Sequence, residues 1–237
     1  MAPDGVSPAS NARAAPRAEA LIAVATLVLV AFHYYGRADA LGVYSPQRGW
    51  FVLTGAPLAP PVHFAASALL LAVLPVLAAR WLTGLSLSEL GLGLGRWRAG
   101  LAWLAIGIPV ALAAGWVAAL SQGMRAIYPL DPTLTPAPLP FARYAVLHLL
   151  SVGSWEVLFR GVLLFGLVRA LGPATSNLTQ TALSVVAHFG RAISETLSAG
   201  PAGLVFGALD LRLGSMWYLT LLHWLAGVSM HWFIVKA

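Results

Sequence analysis

Glu156 and Arg160 stand four residues apart in Trp155-Glu156-Val157-Leu158-Phe159-Arg160-Gly161, inside a run apolar enough to cross a bilayer. On a helix an offset of four puts both side chains on one face, where pairing is the least costly way to keep two charges in hydrocarbon. Ionisable groups in such a place are read as functional. Glu156 is therefore the first candidate for a general base, with Arg160 tuning it. The same pair also suits an architectural role, pinning its helix to the neighbours.

Three imidazoles follow in later apolar segments, at His188, His223 and His231. If helical geometry persists past Gly190, then His188, Arg191 and Glu195 share a face at offsets of three and seven, which brings a second carboxylate within reach of an imidazole. His223 and His231 are two turns apart, with Gly227 between them. Neutral imidazoles with a carboxylate are the ligand set of catalytic zinc, so His188, His223 and His231 are candidate ligands for a divalent metal. A metal-free site, in which Glu activates water and His stabilises the oxyanion, uses the same residues equally well. The spacing is not that of HExxH and does not choose between them. His33, His63 and His148 are read as structural. Ser154 lacks a strained glycine elbow and is not read as a nucleophile.

These groups need helices to hold them. The 237 residues are 59% hydrophobic and 9% charged, with mean hydropathy +0.80. That is too apolar for a water-soluble domain, and long unbroken Leu, Ala, Val and Gly runs suit helices rather than barrel strands. The expected fold is an all-α polytopic membrane bundle in contact with lipid, with about seven transmembrane helices and an interfacial helix. Fourteen basic residues against eight acidic give a net charge of +6, but they are scattered and form no basic stripe. Nucleic-acid binding is excluded on that ground. No cysteine is present, so a thiolate nucleophile and a sulfur-ligated metal are excluded as well.

Residues 1–17 read as a mobile tail, and 18–237 as a single membrane-embedded domain. Apolar spans are expected over 21–35, 62–81 and 101–120. Residues 42–61 suit an interfacial or re-entrant stretch, and 85–92 an amphipathic element on the membrane face. A long helix over 141–171 carries Glu156 and Arg160. Further helices are expected over 174–189, 202–212 and 215–235. Ionisable groups inside the apolar segments concentrate after residue 140, so the chemistry is expected there.

The motifs in their order resemble the CPBP family of intramembrane proteases, the CAAX-protease-like and bacteriocin-processing enzymes also called Abi proteins. The family pattern is EExxxR, then FxxxH, then HxxxN or HxxxD. Here the first falls at Trp155-Glu156 to Arg160, the second at Ser184 to His188 and the third at His223 to Gly227. Phe159-Arg160-Gly161, Gly203-Leu204-Val205-Phe206-Gly207 before an Arg-Leu-Gly-Ser turn, and Leu87 to Leu92 add to the likeness, which covers about residues 85–235. The resemblance implies a membrane endopeptidase acting on a peptide or lipidated protein, expected in a bacterial cytoplasmic membrane. It also marks three departures. Trp155 replaces the leading Glu that the family is thought to use on water, Ser184 replaces Phe, and Gly227 replaces Asn or Asp. The resemblance then implies Glu156 or Glu195 as the base, with His231 supplying the polar group missing at 227. The alternative is a non-catalytic scaffold or immunity-type protein that keeps the fold.

Overall fold

The computed structural model describes residues 8–36 and 60–237, and every regular element among them is helical. In chain order these are α1 (Pro8–Tyr35), α2 (Pro60–Ser67), π1 (Ala68–Val73), α3 (Leu74–Thr83), π2 (Ser88–Leu92), α4 (Trp97–Ala119), α5 (Gln122–Arg125), α6 (Pro138–Glu156), π3 (Val157–Phe165), α7 (Gly166–Ala187), α8 (Ile193–Leu213) and α9 (Trp217–Lys236). Five stretches are long and apolar enough to cross a membrane: Arg17–Tyr35, Pro61–Thr83, Ser88–Ala119, Pro138–Ala187 and Trp217–Lys236. The chain is a polytopic helical bundle.

The longest stretch is bent inside α7. Gly172 takes φ 76° and ψ 165°, and Pro173 follows; glycine alone reaches that conformation freely, and proline cannot donate to the turn before it. The sequence expectation of separate helices on either side of this dipeptide therefore holds, and with α8 the described residues form seven long helices. Pro75 near the start of α3 is accommodated differently. The widened turn π1 precedes it, with the Leu74 N–H reaching back to the Leu69 carbonyl, which relieves the clash that proline makes with a tight α-turn.

Three expectations change. Helix α1 begins at Pro8, so half of the expected tail is helical. The element at 85–92 is not simply laid on the surface: a Ser86/Glu89 capping box closes its exposed turn, but Leu90 is fully buried in the bundle. Helix α8 starts at Ile193, well before the expected 202. The expected interfacial stretch at 42–61 falls outside the described residues, apart from Pro60 and Pro61, which are the first residues of α2.

What positions the site is the packing of α9. On one side α4 meets it through Gly100, Gly107 and Gly115, where a Cβ would come within 2.3 Å of Tyr218, 2.3 Å of Leu222 and 2.4 Å of the Ala226 carbonyl. Such a small-residue stripe lets two membrane helices approach closely. Ser229 Oγ donates to the Leu112 carbonyl at 3.1 Å and fixes the register. On the other side α9 runs antiparallel to α6. Trp232 meets Phe141 edge-on at 4.9 Å, His231 meets Tyr144 at 5.3 Å, and Trp224 Nε1 donates to the Ala145 carbonyl at 2.8 Å. Below them π3 forms the centre of the apolar core, with Leu158, Phe159, Val162 and Leu163 packed against Leu21, Leu71 and Leu90.

Candidate active site

Glu156 is the last residue of α6, where the helix widens into π3, a departure from α geometry often found at functional sites. Its carboxylate is fully buried and engaged on both oxygens. Oε1 lies 2.6 Å from Nδ1 of His223 on α9, and Oε2 lies 3.1 Å from Nε of Arg160 one turn on. The Arg160 contact is an ion pair without hydrogen-bond alignment, since Oε2 and Nε find no aligned partner. Because a carboxylate only accepts, Nδ1 of His223 carries a proton, and in the neutral ring Nε2 is the acceptor. The His223 side chain is 40% exposed whereas Glu156 is 1% exposed. The imidazole is therefore open at the surface of the bundle and the carboxylate is not.

His188 caps α7. Its Nδ1 lies 2.7 Å from the Ser184 carbonyl, so this ring also donates through Nδ1 and leaves Nε2 as an acceptor. Burial holds the His188 imidazole below its ordinary range, against the opposing pull of the Ser184 hydrogen bond and the Glu195 charge. The ring of Trp155 stands edge-on to it at 4.9 Å and against Phe159 at 4.7 Å. His188 is near enough to interact electrostatically with both Glu156 and His223.

Other candidates are placed elsewhere. Gly190 takes φ 89° and α8 starts only at Ile193, so the shared face proposed for His188, Arg191 and Glu195 does not form. Glu195 accepts a hydrogen bond from Tyr128 Oη at 2.8 Å and still acts electrostatically on His188. His231 is stacked on Tyr128 at 5.3 Å and tilted against His148 at 4.7 Å. It lies eight residues from His223, about 12 Å along the helix axis, and cannot share a ligand shell with it. Among the described residues no three His, Asp or Glu side chains converge as metal ligands. The set His188, His223 and His231 does not fit a zinc ion.

Three residues escaped the sequence reading. Asp210 on α8 is fully buried, neither carboxylate oxygen has a hydrogen-bond partner, and it interacts electrostatically with Glu156 and Arg160. Phe206, one turn earlier, covers Arg160 at 6.0 Å and His223 at 6.4 Å. His148, taken as structural, faces Gly227: a Cβ there would lie 2.7 Å from its Nε2. The rule that flagged Glu156, a charge in an apolar helix, would have flagged Asp210 too.

Residues 137–229 match the family model of type II CAAX prenyl endopeptidase Rce1-like proteins. This segment is similar to a CAAX prenyl endopeptidase domain. It holds Glu156, Arg160, His188, His223 and Gly227 and stops short of His231. No curated protein and no solved structure matches the chain. The five long apolar stretches mark an integral membrane protein, and the matched segment takes in α6, π3, α7, α8 and α9 as far as Ser229.

Proposed function

We propose that the chain is an endopeptidase that cleaves a peptide near the membrane surface with water activated by the Glu156–His223 pair. The observation that carries this reading is the 2.6 Å contact between His223 Nδ1 and Glu156 Oε1, with Arg160 on the other oxygen. A buried carboxylate that orients an imidazole and stabilises it when protonated is the arrangement of a general-base dyad. Nε2 of His223 takes a proton from water as the water oxygen attacks the scissile carbonyl carbon. The same proton passes to the leaving amide nitrogen when the C–N bond breaks, yielding a carboxylate and an amine. Glu156 remains ionised throughout beside Arg160. This shifts the role of base from the buried carboxylate to the exposed imidazole.

The description of the matched family points to a prenylated or otherwise lipidated C-terminal peptide as substrate. A protein buried in lipid, with a site on helices α6 and α9, suits a substrate whose own anchor keeps it in the bilayer.

One observation favours a non-catalytic scaffold: an indole, Trp155, rather than a carboxylate packs against His188. Cleavage of a prenylated CAAX-type peptide by the detergent-purified chain separates the two readings. The endopeptidase reading expects turnover by the wild type and its loss in Glu156→Gln and His223→Ala at unchanged folding. Equal turnover by all three proteins rules the dyad out.

A further inference from the structure

A cavity of about 170 Å³ lies between the first turns of α2 and α6 and the loop that leads into α6, with Pro61, Phe64, Asp131, Arg143, Tyr144 and Leu147 in its walls. Arg143 stands thirteen residues before Glu156, about 20 Å along the helix, so this is a separate place from the cleavage site. The stretches able to cross a membrane begin at Pro61 and Pro138. The cavity therefore opens where two spans leave the hydrocarbon, at the level of lipid headgroups.

Its walls carry one charge of each sign. Asp131 uses a single oxygen within the protein, Oδ1, which accepts from the Thr133 N–H at 2.9 Å and from Thr133 Oγ1 at 2.7 Å. That leaves Oδ2 to a ligand. Among the described residues Asp131 and Arg143 are not joined in an ion pair, although both face the same cavity. Behind them the wall is apolar, where the buried rings of Phe64 and Tyr144 meet edge-on at 6.1 Å. Pro140, Arg143, Tyr144 and Leu147 follow at steps of three and four, so they share one face of α6. Leu150 continues that face toward the bilayer centre, and both leucines are exposed. A guanidinium, a carboxylate and an open apolar strip in this order match a zwitterionic headgroup with an acyl chain below it.

We propose that this cavity binds the headgroup of an ethanolamine phospholipid, with the phosphate on Arg143, the ammonium on Asp131 and an acyl chain along Leu147 and Leu150. A guanidinium holds phosphate oxygens through parallel N–H donors, and a primary ammonium gives its own N–H to a carboxylate. A choline headgroup has no N–H to give, and a glycerol headgroup has no cation for Asp131. Both are expected to bind less well. The proposal is independent of the endopeptidase reading, because lipid binding is measured without any cleavage.

Thermal unfolding of the full chain in detergent tests this, with dioleoyl lipids titrated in and every shift read against the same protein without lipid. At about a hundredfold excess over the half-saturating concentration, phosphatidylethanolamine is expected to raise the wild-type Tm by about 5–10 °C. Methylating its nitrogen once, twice and three times removes the N–H donors in turn, and the shift should fall in step. This series needs only the wild type and carries the test if a variant fails to fold. Arg143→Gln should lose most of the shift. Asp131→Asn, which keeps an acceptor for Thr133, should respond equally to ethanolamine and choline lipids. Glycerophosphoethanolamine, the same headgroup without acyl chains, should give no shift at the same concentration. A shift from it as large as the lipid's would make the ligand a soluble phosphate ester and overturn the lipid. An equal or larger shift with phosphatidylglycerol would mark a plain anion site and overturn the proposal. An ethanolamine preference unchanged in Asp131→Asn, or no shift with any lipid, overturns it as well.

Discussion

His223 Nδ1 donates to Glu156 Oε1 across 2.6 Å, joining α9 to the end of α6 over 67 residues of sequence. The contact fixes which nitrogen of His223 faces Glu156, so in the proposed mechanism Glu156 acts through its partner. Glu156→Gln places an amide N–H opposite Nδ1 and favours the wrong tautomer. The expected loss in kcat is up to about 10⁴-fold, as when the buried acid of a triad becomes its amide. Adding His223→Ala to that variant lowers kcat little further, since residues that work as a unit are not additive. Additive losses in the double variant would contradict a dyad.

Arg160 faces the other oxygen of Glu156 at 3.1 Å with both groups out of solvent. Removing one partner of a buried pair leaves a bare charge and costs about 3–5 kcal/mol, whereas removing both is often tolerated. Arg160→Met should therefore lower the melting temperature more than Arg160→Met combined with Glu156→Gln. Thermal unfolding in one detergent gives the order directly, and the reverse order would mean that Arg160 is not held by this carboxylate.

The bundle and half of the site are legible in the sequence because hydrocarbon is unforgiving: a Glu, an Arg and a His in apolar helices stand out without any fold. The break at Gly172-Pro173 is equally legible, since backbone chemistry forces it. What the sequence hides is which helix lies opposite which. His223 and His231, eight residues apart, are turned roughly 80° from each other around one helix, and Glu156 is opposite the first while the ring of His148 is close to the second. That pairing depends on the register of α6 against α9, which is a tertiary quantity. The displacement of Glu195 has a local cause in the positive φ of Gly190, which ends the helical phase on which the His188–Glu195 face depended.

Two glycines of similar sequence context should respond oppositely to alanine. At Gly115 a Cβ meets the Ala226 carbonyl at 2.4 Å, so α9 has to shift, while at Gly153 nothing lies within 4 Å. Gly115→Ala is expected to cost about 1–3 kcal/mol by overpacking and to lower kcat by moving His223. Gly153→Ala is expected to gain up to about 1 kcal/mol of helix propensity. Melting temperature and turnover of the two variants check both signs.

The separation of His223 from His231, about 12 Å along α9, argues against a shared ligand shell for His188, His223 and His231. Activity should survive prolonged treatment with 1,10-phenanthroline. Inhibition reversed by added zinc, and not by magnesium, would require the helices to rearrange around an ion.

Asp210 carries the sharpest stability prediction because it is buried with neither oxygen satisfied, beside a carboxylate and a guanidinium already paired with each other. A buried acid with no hydrogen-bond partner costs folding energy. Asp210→Leu removes the unsatisfied polar atoms at similar volume. Stability should rise by about 1–3 kcal/mol, the penalty of an unsatisfied buried polar group, with kcat within a few-fold of wild type because the Glu156–His223 contact is untouched. A fall in melting temperature would mean that Asp210 is a stabilising partner of Arg160, and a large loss of kcat at unchanged stability would place it in the reaction itself.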